Sequence, residues 1–453
     1  MKILFLSAAN SIHTVKWVNA LVEKGHEVVL VSNKGHEPKE DTLDNRIQFC
    51  CLKYSGNLGY FLNAKELSSL VKKIKPTVIN VHYASGYGTL ARLAKLPPYL
   101  LSVWGSDVYD FPYESKIKNR ILKKNIRNAD MLASTSKCMA RQLRKVMSDS
   151  SLEIAITPFG VDLELFNPSL YAKSENNEFI VGTVKALESK YGIFELIQAF
   201  EKLNNEINKN KQFHQILKLE IYGDGSQKEE IQSYINQKGL VSQITLKGKI
   251  PNKDVPSAIA NFDVFVALSQ LDSESFGVAA VEAMAMGKAV VATDVDGFKE
   301  VISDEKTGII VSRHSTEDAE KAILKLALDQ NYRINLGKNG RKRVEENYDW
   351  DKNVNTMLMN YLKTDLEAGR NPGTVEHDVP QDVMAVIDKL IMSVIGSTDT
   401  RELSRSKCVG LVRLMDEKGI FLVKGAMDKV AELMGVSRVT IYSYLDEARG
   451  KKG

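Results

Sequence analysis

Short apolar runs that alternate with helical patterns restrict the fold of this sequence more than any other feature. Ile3–Ser7, Glu27–Ser32 and Thr77–His82 read as strands, and a helical pattern over residues 14–24, closed by Gly25, separates the first two. This alternation is the mark of a parallel sheet wrapped by helices. It restarts after Asn176, with strands expected at Phe179–Val184, Leu217–Tyr222, Ile244–Leu246, Val264–Ala267, Ala289–Thr293 and Gly308–Val311. The expected fold is therefore α/β: two doubly wound, Rossmann-like domains facing each other, with the substrate site in the cleft between them.

The 453 residues are enough for two or three cores. Expected boundaries are 1–165 for the first Rossmann-like domain, 166–345 for the second and 346–364 for a helix returning to the first domain. A Gly-, Pro- and charge-rich linker is expected over 365–379 and a small all-α unit over 380–453. With 61 basic and 57 acidic residues the net charge is +4, too mild to announce a nucleic-acid protein, so any basic partner surface is local. Cys50, Cys51, Cys138 and Cys408 lack metal-ligand spacing and read as thiols of a reducing cytosol. The apolar run at the N-terminus stops at Asn10 and Ser11, too short for a signal-peptide core, and no run approaches the roughly twenty residues of a membrane span. The expected location is cytoplasmic, with any membrane contact peripheral, on the inner face of the plasma membrane.

The stretch 262–302, FDVFVALSQLDSESFGVAAVEAMAMGKAVVATDVDGFKEVI, carries the chemistry. A strand ends at Ala267, and after a polar loop a helix starts near Ser275-Phe276-Gly277 and ends before Gly287. Unpaired amides and the dipole of that helix start favour a diphosphate, and Gly277 permits close approach. Glu274 and Glu282 lie about two turns apart, so that one can reach a sugar and the other a ribose. This arrangement resembles the E-x7-E pattern of the retaining family 4 glycosyltransferases, which have the GT-B fold. The resemblance covers about residues 1–362. It implies that Glu274 contacts donor-sugar hydroxyls and Glu282 the nucleotide ribose.

Other segments fall in the family's order. Pro158-Phe159-Gly160-Val161-Asp162 is similar to its hinge segment, and 182–192 (GTVKALESKYG) to its diphosphate loop, with Lys185 standing where an arginine is usual. Lys185 and Lys190 are expected to neutralise the departing diphosphate. The expected donor set is Glu274, Ser275, Phe276, Gly277, Val278, Glu282, Gly223, Gly225, Lys185 and Lys190. Asp294-Val295-Asp296 matches a D-x-D metal motif, but the resemblance implies metal independence, so no metal and no cofactor beyond the nucleotide-sugar donor is expected. Asp296-Gly297-Phe298 is expected to face the donor sugar instead, and Glu300 to cap or orient the next helix.

On the acceptor side, His13 and Thr14 follow the first strand, and His82 and Asp107 sit where further strands end. Asp107 and His82 are candidates to deprotonate or orient the acceptor hydroxyl. The resemblance implies front-face substitution without a protein nucleophile, and a glycan or lipid-linked acceptor of bacterial cell-surface polysaccharide synthesis. Residues 114–127 (ESKIKNRILKKNIR) read as a basic amphipathic helix able to rest on an anionic membrane surface.

Residues 403–449 have a helix-turn-helix layout, and about residues 380–449 resemble the DNA-binding half of YheO-like bacterial regulators. Ser437, Arg438, Thr440 and Ser443 are expected to face duplex DNA, with Val436, Ile441 and Leu445 packed inward. Twelve basic and twelve acidic residues over 375–453 give no strong phosphate-seeking field. The alternative reading of the chain is a DNA-binding transcriptional regulator, with the α/β part as a ligand sensor or an unrelated fusion partner.

Overall fold

The computed structural model describes residues 1–174, 176–209, 213–367, 391–392, 394–395, 403–417, 420–422 and 426–449. The first half forms a seven-stranded parallel sheet from β1 (Lys2–Leu6), β2 (Glu27–Lys34), β3 (Gln48–Ser55), β4 (Val78–His82), β5 (Leu100–Val103), β6 (Met131–Ser134) and β7 (Ala155–Ile156), ordered β3-β2-β1-β4-β5-β6-β7. The second half forms a six-stranded parallel sheet from β8 (Glu178–Val184), β9 (Ile216–Tyr222), β10 (Ile244–Gly248), β11 (Val264–Ala267), β12 (Ala289–Thr293) and β13 (Ile309–Val311), ordered β10-β9-β8-β11-β12-β13. In both sheets the order reverses beside the first strand, which opens a crevice at the carboxyl ends of the strands.

Burial explains why these runs become strands. Ile3 and Phe5 on one face of β1 pack with Trp17 and Leu21 of α1 (Ile12–Glu23), whereas Leu4 and Leu6 pack with Leu67 and Leu90 on the other face. A strand covered on both faces needs apolar residues at every position, and each such side chain contributes about 1.5–3 kcal/mol. The edge strand β3 has only Leu52 buried, and β7 is two residues long, so neither carries a run that the sequence could reveal.

Further helices place the site: α2 (Lys116–Asn128), α3 (Lys137–Met147), α4 (Val278–Ala285), α5 (Asp296–Val301) and α6 (Trp350–Glu367). The chain crosses from the first half to the second after Thr157 and returns at Tyr348–Trp350. The two crossings are joined, because Val161 N donates to Tyr348 O at 2.8 Å and Trp350 N donates to Val161 O at 3.1 Å. α6 then packs on α1 and β4. The Trp350 ring lies 4.6 Å from that of Trp17, and Asn80 Nδ2 donates to Tyr361 Oη at 2.7 Å in a fully buried pair.

Past residue 367 the expected linker lies outside the described residues. Beyond it stand α7 (Arg405–Glu417), α8 (Ala426–Met434) and α9 (Arg438–Ala448). They share a core that contains Val412, Ile420, Val430, Ile441 and Leu445, with Val436 packed against it. Gly435, at φ 65°, ends α8, and Ser437 caps α9 by accepting from Thr440 N, which completes a helix-turn-helix.

Tyr361→Phe leaves the buried Asn80 amide short of an acceptor, and is expected to cost about 1–2 kcal/mol. Trp17 and Trp350 lie at this junction, so tryptophan fluorescence during urea unfolding of the full chain measures the loss.

Candidate active site

Two adjoining cavities of about 290 and 240 Å³ open in the cleft, lined by residues of both halves. The start of α4 sets their shape. Gly277 adopts φ 79°, and a Cβ there would lie 2.6 Å from the Phe298 ring, so the turn into the helix requires glycine. No side chain caps α4, and Glu274, Ser275, Phe276, Gly277 and Val278 line the smaller cavity with Lys190. The amides of the first helical turn thus face a space open to an anion.

Lys185, at the end of β8, bonds Glu274 with Nζ 2.5 Å from Oε2, and Ser269 Oγ donates to the same oxygen at 3.3 Å. Lys185 Nζ also lies 4.5 Å from the centroid of the Tyr191 ring, and Lys190 Nζ lies 4.9 Å from it. One aromatic ring therefore steadies both lysines.

Glu282 lines the larger cavity. Its helix reads VAAVEAMA, and Glu282 is 8% exposed, the one charged residue among alanines and valines. Burial raises its pKa to about 7, opposed by Lys16 and Lys185. His13 lines both cavities, stacked on Phe159 at 4.3 Å. Burial, reinforced by Lys16 and Lys185, lowers its pKa to about 4, so its imidazole is neutral near pH 7.

Several expected residues stand elsewhere. Asp107 is fully buried and accepts from the amides of Ala84, Trp104 and Gly105 at 2.8, 3.1 and 2.9 Å. It holds the loop in place, and its carboxylate has no path to an acceptor hydroxyl. His82 is also fully buried, between the rings of Phe5 and Trp104 at 4.3 and 4.5 Å, and neither of its nitrogens has a hydrogen-bond partner among the described residues. Burial pushes its pKa well down, which suits packing and not proton transfer. Thr14 is buried, with its hydroxyl 2.7 Å from Ser7 Oγ.

Gly223 and Gly225 line neither cavity. A Cβ on them would lie 1.9 Å from Lys185 O and 2.5 Å from Leu187 O, so they let β9 press the lysine loop into place. Asp296-Gly297-Phe298 is the first turn of α5, packed against the donor loop so closely that a Cβ at Gly297 would meet Glu274 O at 2.1 Å. Asp294 is bonded to Arg313, and no group of three metal-capable side chains occurs among the described residues. Glu300 caps a helix of the opposite half, accepting from Lys137 N and Cys138 N of α3 at 2.8 and 2.7 Å. Lys16, Tyr191 and Trp350 line the larger cavity although the sequence did not single them out. Lys16 follows His13 by one helical turn, a spacing that places them on one face of α1.

Residues 2–136 match the Glycosyl transferase 4-like family, residues 171–343 the Glycosyl transferases group 1 family, and residues 386–446 an HTH domain. An uncharacterized glycosyltransferase of Methanocaldococcus jannaschii is 27% identical over 308 residues, 67% of this chain and 80% of that protein. N-acetyl-alpha-D-glucosaminyl L-malate synthase of Bacillus anthracis is 22% identical over 316 residues, 67% of this chain and 79% of that protein. The fold is also that of sucrose-phosphate synthase from Thermosynechococcus elongatus, with TM-score 0.66, 19% identity and 81% and 99% of the two chains covered. It is likewise that of Anabaena HepE in complex with UDP, with TM-score 0.64, 16% identity and 80% and 100% covered.

The shift of Glu282 sets a sign for stability. Its folded pKa of about 7 lies above the ordinary glutamate value of 4.5, so between these pH values the unfolded chain is ionised there and the folded chain is not. Stability is therefore lost as pH rises through that window, by up to about 3 kcal/mol from this group. Glu282→Gln is expected to flatten the decline, as measured by urea unfolding midpoints between pH 4.5 and 7.5.

Proposed function

We propose that this chain, a nucleotide-sugar glycosyltransferase with a GT-B fold and a C-terminal helix-turn-helix unit, transfers its sugar with retention of anomeric configuration to a glycan or lipid-linked acceptor. The observation that carries the reading is that Glu282 lines one and Glu274 the other of two adjoining cavities, with Lys185 lining both and Lys190 and the uncapped start of α4 lining the one with Glu274.

In this reading the diphosphate lies against the α4 amides and the two lysines, the sugar meets Glu274 and the ribose meets Glu282. The donor must displace Lys185 from Glu274, which frees the lysine for phosphate and the carboxylate for sugar hydroxyls. The bond between the anomeric carbon and the diphosphate oxygen breaks. The acceptor oxygen attacks from the same face, and its proton passes to the leaving diphosphate. The protein supplies positioning and charge compensation, and no side chain becomes covalently bound. UDP in the Anabaena neighbour makes a uridine nucleotide the first donor to try. Such transfer suits the building of a cell-surface polysaccharide on the cytoplasmic side of a membrane. In support, α2 bears basic residues around the exposed Ile117.

A second reading concerns the last unit alone. Ser437, Arg438 and Ser443 are exposed along α9, which supports contact with duplex DNA, while Thr440 is half-buried with its hydroxyl 2.8 Å from Ser437 Oγ. Arg438 is already paired with Asp428, so DNA must compete for it.

Screening UDP-, GDP- and ADP-sugars by thermal shift identifies the donor, because its binding raises the midpoint by mass action. With that donor, Glu274→Ala is expected to slow nucleoside diphosphate release by at least about 100-fold, and Lys190→Ala by about 10-fold or more. Normal turnover by Glu274→Ala would remove the donor-site assignment. For the second reading, the full chain is expected to retard a duplex at low salt, and Arg438→Ala to weaken it; no retardation at low salt would dismiss it.

A further inference from the structure

Lys16 belongs to the first half of the molecule, yet it faces the cavity that the second half provides for a nucleotide. Its ammonium has one recorded hydrogen bond, a long one of 3.5 Å to Gly160 O. Below it lies the Trp350 ring, with the centroid 4.8 Å from Nζ. An ammonium carries three N–H donors, so most of its capacity is unmet here. Among the described residues no carboxylate comes within the 4.0 Å of an ion pair, although Glu282 and Asp162 both act on Lys16 through space.

Glu282 lines the same cavity. It is buried, it has no recorded hydrogen-bond partner among the described residues, and Lys16 is the leading charge acting on it. A cation and an anion that line the same cavity of about 290 Å³ without an ion pair between them leave room for a group that accepts from one and donates to the other. A ribose phosphate does both: its hydroxyls donate to a carboxylate, and its phosphate oxygens accept from an ammonium.

We propose that Lys16 is a donor-binding residue supplied across the cleft, which holds the ribose–phosphate segment of the nucleotide against Glu282. This rests on the nucleotide-sugar reading and adds a contact from the acceptor-side half. The nucleotide then ties the two halves together, and the sugar plays no part in that link. The titratable groups around the cavity are Lys16 and His13 on α1, Lys185 at the end of β8, Tyr191 on its loop, Glu282 on α4 and Asp162 beside the crossing segment. Of these, Lys16 and Lys185 are the cations that hold the Glu282 carboxyl down against its burial.

The test is calorimetric titration of the full chain with UDP, GDP, ADP and their sugars, at pH values from 6 to 9. If the wild-type chain binds none of them, the nucleotide-sugar reading itself fails. With the nucleotide that binds, Lys16→Met is expected to weaken the free diphosphate and the nucleotide sugar equally, by about tenfold or more, while Lys16→Arg stays within about threefold of wild type. Lys16→Met is also expected to move the pH midpoint of affinity upward by about one unit, because Glu282 then ionises later. Wild-type binding of the free diphosphate by Lys16→Met would overturn the proposal. So would a loss seen with the nucleotide sugar alone, or a loss with an unmoved pH midpoint, which would mark a merely structural lysine.

Discussion

The paired crossing of the chain between its halves is the constraint on which the rest depends. Val161 and the segment Tyr348–Trp350 exchange two backbone hydrogen bonds, and α6 then anchors the return through Trp350 on Trp17 and Tyr361 on Asn80. Without that join the sheets would be two separate domains, each with an unremarkable surface at its strand ends. With it, α1 of one half faces α4 of the other, and residues about 270 positions apart in sequence line one cavity. Glu300, seated on the first amides of α3, adds a second contact between the halves near the donor loop.

The cleft is electrostatically prepared but not satisfied. Lys185 and Glu274 bond each other, so both groups that a donor needs are held in place at the cost of one ion pair. Glu282 and Lys16 do not bond each other, and each is left partly desolvated with its capacity unspent. Such groups are costly to a fold unless a ligand completes them. The glycines at 223, 225 and 297 bring backbone against backbone, and Gly277 lets the turn into α4 close on the Phe298 ring, which together hold the lysine and glutamate loops in place.

Strands β1, β2 and β4 were legible because burial on both faces demands unbroken apolar runs, whereas the edge strand β3 escaped because only Leu52 is buried in it. Glu274 and Glu282 were singled out by their E-x7-E spacing around a helix start, which resembles the retaining family 4 glycosyltransferases, and each lines one of the two adjoining cavities. Asp107 and His82 were misleading for a physical reason: a strand end near the cleft tells where a residue sits but not which way its side chain turns. Both turn inward, Asp107 onto amides and His82 between rings. Lys16, Tyr191 and Trp350 depend on how the halves approach, which no local pattern encodes.

The helix-turn-helix unit has its own core and its own exposed helix, and nothing in the cleft requires it. The central claim, a nucleotide held between the halves, is tested most directly by hydrogen–deuterium exchange of the full chain with saturating UDP, GDP and ADP in turn. The account predicts that one of them slows exchange at 185–191 and 274–282 in the second half and at 13–16 in the first. Unchanged exchange in all three segments with every nucleotide, or protection confined to 405–449, would contradict it.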